Sequence, residues 1–473
     1  MLRAMSRPFE SLETLRSSLP ETSEDDVAEH QLDADADADS PAASSAPAPV
    51  KVRKERRGSV GLPPPRVRRG TLRIPHDAGY RLRGGHPWVF RDTIGGRPVH
   101  AAAGEPVELH DPDGIFVARG IYDPDGPIAV RVLTRDPEEA IDQAAFARRV
   151  KAAAALRSQL LPAIAAKEGD GTQPLTAYRV LHGEGDYLPG ITVDRYGDYL
   201  VIHLYSGSLE PHLKVLLDAL EEVYKPKGIY MQRRFRPLGG EGPRDPAELV
   251  RGALAPVELE VTEGGLRFGV DVTSPLSSGL FLDLRLGRQA VASRSKGRRV
   301  LNLFSYTGAL SLYAMAGGAS EVVSVDLAAR AHARARRNLT LSGLPETGHE
   351  FITGDAMAIM ARMSERKRHF DMIIIDPPAF AQGGRDKNFS VQRDYRDLVR
   401  SALLLCRPGA LLCCVANAAK FSIEDLMNAM GDGAGQARRF VRVVDQLSLP
   451  PDFPVPAGFP EGYYLKMLFG AVI

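Results

Sequence analysis

Cysteine and tryptophan are scarce in this chain, which has three Cys and one Trp among its 473 residues. No two cysteines have the CxxC spacing, so the sequence offers neither a disulfide framework nor a common zinc site. No apolar run reaches the roughly 18 residues that a membrane span needs. The sequence also lacks a GxGxxG motif, which is the usual indication of a dinucleotide-binding site. These absences predict a cytoplasmic protein that is not bound to a membrane and holds no metal.

Charge is balanced overall, with 60 Lys and Arg against 59 Asp and Glu, but it is segregated near the start of the chain. An acidic stretch rich in Ala, Pro and Ser, ETSEDDVAEHQLDADADADSPAASSAPAPV, precedes a basic stretch, KVRKERRGSVGLPPPRVRRG. Neither stretch contains enough apolar residues to bury a core. We predict a disordered acidic and basic tail over residues 1–69.

After Thr71 the pattern changes three times, and each change predicts a domain. Short alternating runs broken by turns, such as IFVARGIYDPDG and IAVRVLTRD, predict a small β-barrel over residues 70–142. A helical stretch followed by strand, helix and strand patterns predicts a small α+β domain over residues 143–270. Apolar strands alternate with helices over residues 271–473, which predicts an α/β domain with a doubly wound, mostly parallel sheet.

Ligands of doubly wound sheets bind outside the carboxyl ends of the strands, so the residues that follow each strand are candidates for a site. Gly308 follows the first strand and opens a helix, which lets a ligand approach unpaired backbone N–H groups. Asp326 follows the second strand, where a carboxylate can accept hydrogen bonds from ribose hydroxyls. Asp355 follows the third strand and could accept a hydrogen bond from an adenine amino group.

The fourth strand ends in IIIDPPAF, residues 373–380. Its two prolines have fixed φ angles and no N–H donors, so the Asp376 carboxylate and the Pro377 carbonyl are left as acceptors for a ligand. Phe380 is available to stack on a planar ring, and the whole arrangement suits an unpaired base with an exocyclic amine. The order of the four strand ends is typical of class I S-adenosylmethionine (SAM)-dependent methyltransferases. The lack of a phosphate cradle favours SAM over NAD or ATP.

From about Leu72 onward the chain resembles the bacterial large-subunit ribosomal RNA methyltransferases with an N-terminal PUA domain, typified by the enzyme that methylates carbon 5 of a cytosine in 23S rRNA. The stretches that carry the resemblance are GHPWVF (85–90), ARGIYDPDGPIAVRVLTRD (118–136), YRVLHGEGDYLPGITVDRYGDYLV (178–201), SGLFLDLRLGR (278–288), VLNLFSYTGALSL (300–312), VVSVDLAA (322–329), FDMIIIDPPAF (370–380) and FPEGYYLK (459–466). The resemblance implies a PUA-like RNA-binding barrel, a linking middle domain and a Rossmann-like SAM-binding domain. It also implies 23S rRNA as the partner, with a homodimer as one option for the assembly.

The resemblance assigns roles to individual positions. The cofactor is expected to contact the methionine-end residues Asn302, Phe304 and Gly308, the ribose-binding Asp326 and the adenine-side Asp355, with Asp283 and Arg285 closing the pocket from the other side. The target base is expected to face Asp376, Pro377 and Phe380. On the barrel, the best candidates for contacts with RNA phosphates are Arg83, His86, Arg119 and Arg131.

One departure from the family concerns the nucleophile. Methylation of cytosine at carbon 5 requires a thiolate that adds to carbon 6, because the ring carbon is too weak a nucleophile until that adduct forms. The cytosine-modifying relatives place this cysteine in the turn past the strand that follows the DPP box, where the present chain reads VANA, residues 415–418. Cys413 and Cys414 lie roughly 7 to 13 Å before that turn and point to opposite faces of the strand. We interpret both as buried strand core.

Asn417 occupies the strand end instead, followed by Lys420 and Phe421. An amide can hydrogen-bond a base edge but cannot form the adduct, whereas a base nitrogen has its own lone pair and needs none. The sequence therefore predicts direct in-line methyl transfer to a base nitrogen of 23S rRNA. Three alternatives stay open: a carbon-5 cytosine methyltransferase that uses a displaced Cys414, a non-catalytic RNA-binding or ribosome-assembly protein, and a small-molecule methyltransferase, against which the barrel argues.

Overall fold

The structure, a computed structural model, describes residues 70–95, 99–165, 173–235, 245–381 and 389–473, with the backbone alone at positions 380 and 381. The predicted tail over residues 1–69 lies outside the described residues. Three larger sheets follow one another along the chain, and two short hairpins accompany them. Among the helices that the structure describes, none combines the length and the apolar composition that crossing a bilayer requires.

The first domain is a small sheet with one short helix. Its elements are β1 (Thr71–Arg73), α1 (His76–Arg83), β2 (Trp88–Phe90), β3 (Pro106–His110), β4 (Phe116–Tyr122) and β5 (Ile128–Thr134). The strands pair in the order β1-β3-β4-β5-β2. Every residue of β5 is buried, so this strand has no solvent-exposed face, as in a small barrel whose interior is filled by side chains.

The middle domain packs two helices against one face of a five-stranded sheet. Its elements are α2 (Gln143–Leu160), β6 (Ala177–His182), β7 (Ile191–Tyr196), β8 (Tyr199–Leu204), α3 (Leu213–Tyr224), β9 (Gly228–Arg233) and β10 (Glu248–Gly252). The strands pair in the order β10-β9-β8-β7-β6, and only β8 and β9, which α3 connects, run parallel within this described sheet. A hairpin of β11 (Leu259–Glu263) and β12 (Leu266–Val270) follows.

The third domain is the predicted doubly wound α/β unit. Its elements are α4 (Arg285–Arg294), β13 (Arg299–Leu303), α5 (Ala309–Ala316), β14 (Glu321–Asp326), α6 (Ala329–Leu341), β15 (His349–Thr353), α7 (Ala356–Glu365), β16 (Phe370–Ile375), β17 (Phe380–Ala381), β18 (Phe389–Ser390), α8 (Val391–Leu403), β19 (Cys406–Asn417), α9 (Ile423–Gln436), β20 (Val441–Leu447) and β21 (Leu465–Val472). The seven-stranded sheet has the order β15-β14-β13-β16-β19-β21-β20. The five strands β15, β14, β13, β16 and β19 run parallel to one another, and β21 is antiparallel to both of its neighbours, β19 and β20.

The central strands of this sheet are apolar on both faces because helices cover both sides. Cys414 packs in one layer with Ile375 and Tyr395, whereas Cys413 packs in the opposite layer with Ile374. Both cysteines are fully buried. The interpretation of this pair as strand core is therefore confirmed. Cys406 is the first residue of β19 and is buried as well.

A buried carboxylate joins the middle and third domains. Asp452 is fully buried, and its side chain accepts hydrogen bonds from the Arg285 guanidinium and from the Arg179 backbone N–H. Its backbone carbonyl accepts a hydrogen bond of 2.8 Å from Arg157. The same arginine donates to both oxygens of Asp186 at 2.5 and 2.7 Å. These bonds hold the edge strand of the middle sheet, β6, beside the carboxyl ends of the parallel strands in the third domain.

Candidate active site

A pocket lies at the carboxyl ends of β16 and β19. It is lined by Phe281, Asp283, Leu284, Asp376, Pro377, Pro378, Ala379, Asn417 and Leu465. The fold thus brings together four residues that the sequence predicts for the site, namely Asp283, Asp376, Pro377 and Asn417. Of the five other lining residues, Phe281, Leu284, Pro378 and Ala379 lie within two positions of one of these four along the chain. Leu465 belongs to the FPEGYYLK stretch, where the resemblance was the available signal.

The electrostatics of the pocket are set by its two carboxyl groups. The pKa of Asp376 is raised to about 7, mainly by burial and in addition by the nearby Asp283 carboxylate, while Arg288 partly opposes both effects. Burial also raises the pKa of Asp283, against the opposing charge of Arg179. The Tyr464 hydroxyl donates a hydrogen bond of 3.1 Å to Asp283 Oδ2 and so fixes the orientation of that carboxyl group.

Asn417 is the last residue of β19 and pairs with Leu465 at the start of β21. The turn that follows it is held by a buried lysine: Lys466 Nζ donates to the carbonyl oxygens of Ala418 at 2.6 Å and Tyr464 at 3.1 Å. Burial lowers the pKa of Lys466 to about 8. The strand end that replaces the family's cysteine turn is therefore tied to the segment that carries Tyr464.

The turn after β13 has an unusual backbone. Phe304, Tyr306 and Gly308 have φ angles of 58°, 46° and 77°, all in the left-handed region. A residue with a Cβ loses about 1 to 2 kcal/mol in this conformation, so the surrounding structure must hold the turn in place. At Gly308 a Cβ atom would also lie only 2.7 Å from the Cβ of Ala335. Both the left-handed φ and the close contact with Ala335 favour glycine over any other residue at position 308.

The strand-end aspartates lie along the same edge of the sheet, because β13, β14 and β15 are parallel neighbours. Asp326 accepts backbone N–H bonds from Tyr306 at 2.7 Å and from Ala328 at 2.9 Å. Each carboxylate oxygen has a second lone pair, so Asp326 can still accept from hydroxyl groups of a ligand. Asp355 caps α7 by accepting from the Ala358 N–H at 2.8 Å. These residues lie beside the pocket and do not line it.

Two predicted cofactor contacts need correction. Arg285 is buried and directs its guanidinium to Asp452 and the middle domain, so it does not close the pocket as the resemblance implied. Asn302 is fully buried and its amide donates to Ser311 Oγ at 2.9 Å. It lies on the face of β13 that α5 covers, below the edge where a ligand would bind. The side chain of Phe380 lies outside the described residues, and its stacking role stays a prediction.

On the barrel, two of the four predicted phosphate contacts are buried. His86 and Arg131 have 5% and 7% of their surface exposed, and the Arg131 guanidinium lies 3.7 Å from Asp123. A phosphate on an RNA chain cannot reach a side chain enclosed in this way, so these two assignments are corrected. For Arg131 the cause is its position on β5, in which every residue is buried.

The other two barrel arginines are closer to the surface. Arg83 donates to Asp111 at 2.8 Å, and 44% of its side chain is exposed. Arg119 donates to Glu108 at 2.7 Å and to the Pro137 carbonyl at 3.0 Å, and 16% of its side chain is exposed. Both have intramolecular partners, and their contact with RNA stays a prediction.

The profile of the family described as S-adenosylmethionine-dependent methyltransferase matches residues 178–463 of the chain. The chain belongs to this family. A second profile, of a PUA-like domain, matches residues 72–135. Methyltransferase activity with SAM and a class I fold behind a PUA-like barrel, as the sequence predicted, are thereby confirmed.

Individual proteins agree with the family assignment. The chain is similar to the ribosomal RNA large subunit methyltransferase I of Photobacterium profundum, with 36% identity over 81% of this chain and 95% of that protein. The protein of the same name from Tolumonas auensis is 35% identical over 84% of this chain and 98% of its own length. Among solved structures, the methyltransferase SMU.776 complexed with S-adenosylhomocysteine (SAH) aligns with a TM-score of 0.76 and 25% identity, over 85% of this chain and 99% of that one.

The geometry of this methyltransferase fits SAM. SAM supplies an electrophilic methyl group on a positively charged sulfur, and the pocket presents two carboxyl groups that favour a cation. The left-handed turn ending at Gly308 leaves room for a ligand close to the backbone. Asp326 and Asp355 would hold the nucleoside part along the neighbouring strand ends.

Proposed function

We propose that this methyltransferase modifies a base of large-subunit (23S) ribosomal RNA and that the acceptor atom is a base nitrogen. The choice of RNA is supported by the relatives, which are named ribosomal RNA large subunit methyltransferases, and by the PUA-like barrel. A cytoplasmic location would accompany this substrate, and a homodimer stays one option for the assembly.

The chemistry of the pocket supports a base as the acceptor. Pro377 and Pro378 have no N–H groups, so the backbone there offers acceptors alone, and the Asp376 carboxylate adds another. The Asn417 amide can both donate and accept. Together they match the edge of an unpaired base that presents an N–H or an amine beside an acceptor.

The single observation that carries the nitrogen assignment is the absence of a thiol at the strand end occupied by Asn417. A base nitrogen can take the methyl group through its own lone pair. If it bears hydrogen, it loses one proton in the transfer, and the ionised Asp376 carboxylate is the acceptor in the pocket that can take this proton. The base would be held in line for attack by Asp376, the Pro377 carbonyl and Asn417.

Transfer of labelled methyl groups from SAM to purified RNA tests the substrate. We expect label in deproteinised 23S rRNA or in an immature large subunit, and none in 16S rRNA or tRNA. Label in tRNA, or no label in any RNA while calorimetry shows SAM binding, would contradict the rRNA assignment.

The cysteine alternative makes a separate prediction for Cys414. Burial raises the pKa of this thiol to about 12, and that of Cys413 well above its ordinary value, so neither forms a thiolate near neutral pH. Cys414→Ala should therefore keep methyl transfer within about twofold of wild type, while removing buried volume at a cost of about 1 kcal/mol in stability. RNA containing 5-fluorocytidine should form no covalent complex with the wild-type chain. An inactive Cys414→Ala variant that still binds SAM, or a trapped complex that this variant loses, would restore the carbon-5 mechanism.

A further inference from the structure

Two carboxyl groups, Asp283 and Asp376, share the wall of one pocket, and none of the described residues that line it is basic. The nearby arginines already have partners of their own. Arg288 donates to both oxygens of Glu263 at 2.6 and 2.7 Å. Arg179 donates to both oxygens of Asp194 at 2.5 and 3.2 Å. The two carboxyl groups therefore face the pocket as an excess of negative charge.

Two such groups in a partly buried site cannot both ionise without cost. Either a proton or a cation relieves the repulsion. SAM and its product SAH have the same adenosine, ammonium and carboxylate groups, and they differ in the methyl group and the positive charge on sulfur. A pair of carboxyl groups beside that sulfur would attract SAM and gain nothing comparable from SAH.

We propose that Asp283 and Asp376 act as a pair that selects SAM over SAH, because the pair holds one proton when the pocket contains no cation and releases it to solvent when SAM binds. After methyl transfer the sulfur is neutral, so the pair takes up a proton again and favours release of SAH. The selection concerns the cofactor alone and does not depend on which RNA is methylated.

The other titratable groups around the pair do not change charge in the relevant pH range. Burial raises the pKa of Tyr464 and lowers that of His182, each well away from its ordinary value. Lys466 has a pKa of about 8, so the measurement must stay below the pH at which this lysine begins to lose its proton. Arg288, Arg179 and Asp194 stay ionised in their pairs. Between about pH 6 and pH 7.5 the carboxyl pair is therefore the group near the pocket that titrates.

The sign of the pH dependence follows from the raised pKa of Asp376, which is about 7. Below this value the pair is protonated in the empty pocket, and SAM must displace the proton. SAM affinity should therefore fall by up to about tenfold for each pH unit below 7, and SAH affinity should change little. Calorimetry in two buffers with different heats of ionisation should show about half a proton released for each SAM bound at pH 7, and none for SAH.

Three variants test which groups are responsible. Asp376→Asn and Asp283→Asn should each lower the ratio of SAM to SAH affinity by about tenfold and remove the proton release. Asp397→Asn on α8, whose carboxylate lies 3.8 Å from Arg396 outside the pocket, should leave both quantities unchanged. SAH binding serves as the check that each variant is folded.

Two results would overturn the proposal. The first is a SAM to SAH ratio in the pocket variants equal to that of wild type. The second is wild-type SAM binding without proton release and without pH dependence between about pH 6 and pH 7.5, which decides the matter even if both variants fail to fold. Failure to methylate 23S rRNA would instead contradict the proposed substrate and leave these binding results intact.

Discussion

Gly308→Ala should weaken SAM binding by at least about 30-fold, because alanine adds about 2 to 5 kcal/mol of strain to the turn after β13. The backbone at this position has a φ of 77°, and the new Cβ would lie 2.7 Å from the Cβ of Ala335. If the turn moves to relieve the contact, the hydrogen bond of 2.7 Å from the Tyr306 N–H to Asp326 is disturbed as well. Calorimetric titration with SAM and a thermal melt of the same sample measure the effect.

Gly343→Ala is the matched control. Its φ is 65°, yet no atom lies within 4 Å of the added Cβ. This variant should lose stability from the left-handed backbone, about 1 to 2 kcal/mol, and bind SAM within about twofold of wild type. Equal SAM affinity in both glycine variants would show that the turn does not approach the cofactor.

Asn417→Ala should lower kcat/KM for RNA methylation by about 100-fold, because the pocket loses the side chain that both donates to and accepts from the base edge. The affinity for SAM should change by less than about threefold, since Asn417 lies on the side of the pocket assigned to the base. Steady-state kinetics with RNA and calorimetry with SAM separate the two effects.

Asn428→Ala, at an exposed position of α9, is the control for Asn417 and should behave as wild type. Full activity of Asn417→Ala would remove this residue from the site. A loss confined to SAM affinity would instead move Asn417 to the cofactor side of the pocket.

The sequence predicted the strand-end residues well because one rule governs them all. Parallel neighbours place their carboxyl ends at one edge of the sheet, so Asp326, Asp355 and Asp376 had to lie along that edge once the alternation of strands and helices was recognised. Successive side chains of a strand point to opposite faces, which placed Cys413 and Cys414 on opposite faces of β19, where the structure has them. These inferences need only the local period of the chain and the order of the elements.

Local sequence patterns could not predict contacts between segments that are far apart along the chain. The partners Tyr464 and Asp283 are 181 residues apart in sequence, and Arg285 and Asp452 are 167 apart. No local pattern indicates that Arg285 turns toward the middle domain while its neighbour Asp283 faces the pocket. The antiparallel insertion of β21, which carries Leu465 to the pocket, depends in the same way on the packing of the whole domain.

Two errors had a physical cause that can be named. On β13, Asn302 lies on the same face as Val300, which α5 covers, so the alternation of side chains argued against a position at the open edge. On the barrel, Arg131 was predicted to contact RNA phosphates, but every residue of β5 is buried, so this strand has no exposed face. A polar residue in a strand is therefore not evidence of a surface contact when both faces are covered.

The chemical identity of the methylated nucleoside is the most direct test of the proposed reaction. RNA methylated by the purified wild-type chain would be digested to nucleosides and resolved by mass spectrometry against standards, with Asp376→Asn as the control of reduced activity. We predict a base methylated on nitrogen and no product that depends on Cys414. Recovery of 5-methylcytidine as the product would contradict the nitrogen assignment and require a thiolate that the present geometry does not provide.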